Sequence, residues 1–177
     1  MILRFFRRDD GRRRVVETLH LRTAEAARAP GLYTALGVPD TVEGRFEALC
    51  LHVVLVLRRL NGLPAPADDV AQDLVDAVFG QLDASLRELG VGDMGVGKRM
   101  KKVGAQFYGR ARHYGEALDG GDRAALGAAL GRNVLGRDDA TEALPLADYV
   151  IAAAAGLERD DLDALLTRGP RFPAPHR

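Results

Sequence analysis

The sequence predicts an all-α protein, a single-domain helical bundle of about six to seven helices with no significant sheet. Three observations carry that reading. Ala, Leu, Arg and Glu dominate the 177 residues, and the only isoleucines are Ile2 and Ile151. No segment sustains the period-two alternation that a strand requires. Apolar residues recur instead at steps of three and four between breaks made by Gly and Pro.

A first helix over residues 12–28 ends before Pro30, because proline disfavours helical geometry in the residue ahead of it. The stretch LYTALG then turns the chain toward Pro39. Asp40 with Glu43 has capping-box spacing and opens a second helix, which runs to about Leu60 and stops at NGLPAP. A third helix extends from Asp68 or Asp69 to Leu89, since Ala71, Leu74, Val75, Val78, Leu82, Leu86 and Leu89 share one side of a 3.6-residue wheel. The fourth, residues 97–118, has the clearest stripe: Met100, Val103, Phe107, Ala111, Tyr114 and Leu118. Lys98, Lys101, Lys102 and Arg112 lie opposite it. Later helices cover 122–135, 145–155 with proline in the first turn, and 159–166. The organisation is a basic N-terminal arm over 1–14, a helical domain over 15–168 and a loose Pro-rich tail over 169–177.

Composition narrows the function. With 25 Lys plus Arg against 25 Asp plus Glu, the net charge is zero, so overall charge points to neither nucleic acid nor an anionic membrane. The single Cys50 excludes an internal disulfide and any multi-cysteine metal site. No apolar leader follows the N-terminal arginines, and the longest apolar run, residues 49–57, is well short of a membrane span. The expected location is therefore cytoplasmic.

The segment GVGDMGVGKRMKK at residues 90–102 overlays two phosphate-binding patterns. Gly90, Gly92 and Gly95 fit G-x-G-x-x-G, and Gly92, Gly97 and Lys98 fit most of a P-loop. Both motifs work when a strand delivers the chain into the glycine turn, and here the preceding segment is helical. Position 99 is Arg where a P-loop carries Ser or Thr, and Asp93 would put a carboxylate among the phosphate oxygens. Gly90 as a left-handed helix cap and Asp93 as a turn cap account for the same residues.

Other catalytic patterns are thin. Ser85 is the only serine, Cys50 lies in the most apolar helix, and His20, His52, His113 and His176 show no metal-ligand spacing. No enzyme, cofactor or metal is expected. Charge segregation is what remains: residues 98–113 hold six Lys or Arg and no acid, while 68–93 hold seven acids and one Arg. Either those two helices neutralise each other or the basic one presents a binding face. The arm MILRFFRRDDGRRR adds six arginines and two phenylalanines, suited to a membrane surface, RNA or a ribosome.

The segment LRELGVGDMGVGKRMKKVGAQFYGRARHY, residues 86–114, resembles the core motif of the ubiquinol-cytochrome c chaperone family, with an LGVGD turn and a basic helix carrying an FY pair. FEALCLHVVLVLRRL at 46–60 is similar to the family's apolar helix with its Leu-His step, and AALGRNVLG and LADYVIAAAAGL follow in order. The resemblance spans about 33–157 and suits a bacterial member. It implies a helical assembly factor for respiratory complex III that binds newly made cytochrome b. On that reading the client-binding candidates are Lys98, Arg99, Lys101, Lys102, Tyr108, Arg112 and His52. The implied partners are unassembled cytochrome b and, through the basic arm, a ribosome or the inner face of the membrane. Neither a specific nucleic acid nor a small-molecule substrate is implied. An RNA- or ribosome-binding module and a nucleotide-dependent enzyme stand as the alternatives.

Overall fold

The computed structural model describes residues 9–88, 90 and 92–176. Eight α-helices follow one another among them: α1 (Asp9–Ala26), α2 (Pro30–Thr34), α3 (Val42–Asn61), α4 (Ala67–Glu88), α5 (Asp93–Asp119), α6 (Arg123–Leu130), α7 (Leu144–Leu157) and α8 (Leu162–Thr167). A π-helical turn, Gly131–Leu135, extends α6, and a 3-10 turn, Ala140–Ala143, leads into α7. The described residues contain no strand, as the missing period-two pattern required.

α3 is the axis of the bundle, packed against α1, α4, α5 and α7. Its Val53, Val54, Leu55 and Val56 are all buried, so a helix apolar on nearly every side is enclosed on nearly every side. The segment Ala140–Leu157 is apolar enough to match a bilayer, with a mean hydropathy of 1.2. In this fold 44% of that window is buried, with Leu146, Ala147, Val150, Ala153 and Leu157 forming its inward face and Ile151 exposed. The apolar stripe of α5 also faces inward: Phe107 and Tyr114 are buried, and Phe107 meets Phe79 of α4 edge-on with centroids 5.6 Å apart.

Several local expectations need correction. The cap of α3 is Thr41, whose hydroxyl accepts from the Gly44 amide at 3.1 Å; Asp40 instead accepts from Arg45. Asp93 is the first residue of α5, after Gly92 at the cap position, and makes no capping bond. The arm assigned to 1–14 overlaps the first helix, which begins at Asp9 rather than at residue 12, so residues 9–14 lie in α1. Arg12 is held there by Asp73 and by Asp69 on α4, and Val16 and Leu19 are buried below it. Residues 1–8 of the arm, and Leu89 of the third-helix stripe, lie outside the described residues.

The tail is docked as well. Gly169 turns the chain at φ 82°, Arg171 reaches the buried Asp160 at 2.5 Å, and the Phe172 ring stands edge-on to His52 with centroids 4.7 Å apart. Sequence composition suggested looseness because Pro and Gly form no regular element; one buried carboxylate and one aromatic anchor supply the packing that a helix would have supplied.

Candidate cationic face

The turn between α4 and α5 sets the direction of the site. Gly90 adopts φ 79°, where only glycine sits without strain, and its amide bonds the Arg87 carbonyl at 2.9 Å. Arg87 then links Asp83 of α4 to Asp93 of α5 across the turn. A helix delivers the chain into these glycines, and an acidic side chain with its own Arg partner occupies the start of α5. Lys98 is exposed one turn further on, so the loop has the form of a helical hinge rather than a phosphate cradle.

From that start α5 runs for 27 residues with one side in the core and the other in solvent. Lys98, Arg99, Lys101, Lys102, Tyr108 and Arg112 are all exposed. On a 3.6-residue wheel Lys98, Lys101, Lys102, Tyr108 and Arg112 fall on one face, with Arg99 at its edge. Met94, which the sequence reading left out, begins the same face and is 92% exposed, and Tyr108 is 59% exposed. Its signal was present in the spacing, since Met94 stands four residues ahead of Lys98.

The cations of this face are not neutralised by the acids of α4. Asp69 and Asp73 pair with Arg12 of α1, Asp83 pairs with Arg87, and Asp76 accepts from Gln72. Among the described residues, Lys98, Arg99, Lys101 and Lys102 have no carboxylate within ion-pair distance. Arg112 lies 3.9 Å from Glu116, with both groups well exposed, a contact worth little in water. Arg110, counted with the basic residues in the sequence, turns inward to Glu47.

His52 does not join this face. It is 0% exposed within α3 and offers a docking partner no contact. Its Nδ1–H donates to the Ala48 carbonyl at 2.7 Å, which fixes the tautomer, and Nε2 accepts from the Tyr149 hydroxyl at 2.7 Å. Burial pushes its pKa down from 6.5 to about 4, with the Ala48 bond opposing, so the ring is neutral near pH 7. The Leu-His step is a packing feature linking α3, α7 and the tail.

Nothing among the described residues assembles a metal site. Cys50 is buried, and burial first, then the charge of Glu47, raises its pKa to about 12, which leaves the thiol protonated and unreactive. An open groove of about 980 Å³ lies between α1 and α4, lined by residues including Arg13, Glu17, His20, Asp73 and Asp76. α3 contributes no side chain to it, so the apolar helix is core rather than groove wall.

Comparison with known proteins gives a consistent picture. A family model described as ubiquinol-cytochrome C chaperone matches residues 34–172. A solved structure, the Cbp3 homolog from Brucella abortus, superposes with a TM-score of 0.83 and is 39% identical, covering 98% of this chain and 97% of that one. No curated protein sequence matches the chain.

Proposed function

This chain belongs to the ubiquinol-cytochrome C chaperone family, a family of respiratory complex III chaperones, and we propose on that premise that its client is newly made or unassembled cytochrome b. The observation that carries the proposal is the family match over residues 34–172. The chain acts by binding: it holds the client until assembly proceeds and performs no covalent chemistry. Lys98, Arg99, Lys101, Lys102 and Arg112 form the recognition rim and Tyr108 provides its aromatic contact, because exposed cations govern encounter and selectivity while contributing little to the fold. The protein works in the cytoplasm, where newly made client segments are accessible.

Deleting the chain from its host tests this reading. The expected result is loss of assembled complex III and of spectroscopically detectable cytochrome b, restored by the intact protein. Normal amounts of both in the deletion strain would contradict it. A second reading, an RNA- or ribosome-binding module, is favoured only by the unneutralised cations of α5. Sequence-independent RNA binding with a steep salt slope would support it.

A further inference from the structure

We propose that the outward face of α5 also docks on an anionic membrane surface, so that the face assigned to the client has the bilayer as a second partner. The inference rests on the geometry of that face and stands apart from the identity of the client.

Met94, Lys98, Lys101, Lys102, Tyr108 and Arg112 are exposed on one side of a single helix, α5. From Met94 to Arg112 the face is roughly 27 Å long at 1.5 Å per residue. The three lysines have no carboxylate within ion-pair distance among the described residues, and Asp69, Asp73 and Asp83 of the neighbouring helix pair with Arg12 and Arg87 instead. Their counter-charge has to come from outside. Flanking them along the helix stand two solvent-facing groups with apolar bodies, Met94 before and Tyr108 after. A lipid headgroup layer satisfies both kinds of side chain at once: phosphates face the lysines, while the thioether and the phenol ring reach the boundary with the acyl chains. RNA would match the lysines and would leave Met94 in water, which favours the bilayer.

Docking requires no rearrangement of the bundle. The opposite side of α5 stays closed over Phe107 and Tyr114, so the protein rests on the membrane rather than inserting into it. Attachment of this kind is reversible and depends on several cations acting together with a shallow apolar contact.

Sedimentation of the full chain with vesicles tests the proposal. Vesicles of phosphatidylcholine mixed with phosphatidylglycerol should bind the protein, and vesicles of phosphatidylcholine alone should not. Lys101→Glu with Lys102→Glu should lower binding about tenfold or more, and added salt should release the native protein. Met94→Ala with Tyr108→Ala should weaken binding with the charge unchanged, a loss that a purely electrostatic contact would not show. Equal binding to both vesicle types, binding unaffected by the charge reversal, or binding to RNA without binding to vesicles would each overturn the inference. If vesicle binding fails while detergent-solubilised cytochrome b is still captured, the membrane inference falls and the chaperone reading stands.

Discussion

Arg110 of α5 meets Glu47 of α3 at 2.5 Å, and both side chains are almost wholly enclosed, with 12% and 14% of their surfaces exposed. The pair ties the helix bearing the cationic face to the axis of the bundle. Burial raises the pKa of Glu47 and the Arg110 charge opposes that rise. Glu47 Oε2 and Arg110 Nε have no hydrogen-bond partner, so the pair is incompletely satisfied and acts mainly to fix position.

Arg110→Ala should therefore cost about 3 to 5 kcal/mol, because it strands a buried carboxylate. Replacing both groups, Glu47→Leu with Arg110→Leu, should recover much of that loss. Denaturant midpoints of the single and double variants check the expectation; a double variant as unstable as the single one would assign the pair a net stabilising role.

Phe107→Ala should cost about 3 to 5 kcal/mol through lost transfer energy and the cavity left against Phe79. Lys102→Ala, on the exposed side of the same helix, should leave the Tm nearly unchanged. Equal Tm values for the two variants would mean that α5 is turned the other way.

His52 should make stability depend on pH. The unfolded chain takes up a proton near pH 6.5, whereas the folded protein resists it until about pH 4. Stability is thus full above 6.5 and falls by up to about 3 kcal/mol as the pH drops through this window. His20, shifted down by burial and by Arg28, adds a slope of the same sign. His52→Gln should flatten the profile between about pH 6.5 and about pH 4.5, measured by urea unfolding; an unchanged slope would remove His52 as the source.

Gly31→Ala should release the tail. An added Cβ would stand 2.1 Å from the Pro175 carbonyl oxygen, so the tail must move away. Trypsin should then cut at Arg171 faster than in the native protein. Gly109→Ala, where a Cβ meets open space, should leave cleavage unchanged and stabilise α5 by about 1 kcal/mol.

Periodicity made the long helices legible. The stripe of α5 and the all-round apolarity of α3 each predict a burial pattern that the fold reproduces, with Phe107 and Val53 to Val56 inside. Contacts between distant residues had no local signal. Nothing near Arg12 shows that Asp73 will hold it in a helix, and nothing in GPRFPAPHR shows that Phe172 will seat on a histidine 120 positions away. The basic face was legible as a charge run, and the helical wheel already put Arg112 rather than Arg110 on it; only the fold shows that Arg110 turns inward to Glu47 of α3.

The capture of cytochrome b by a charge-reversed chain tests the central claim most directly. Lys101→Glu with Lys102→Glu should retain native helical circular dichroism, since neither lysine supports the fold. Cytochrome b recovered with the tagged protein from host membranes should fall, together with the amount of assembled complex III, and recovery by the native protein should weaken with salt screened over about 8 Å. Undiminished recovery of cytochrome b with a stably folded double variant would contradict the account.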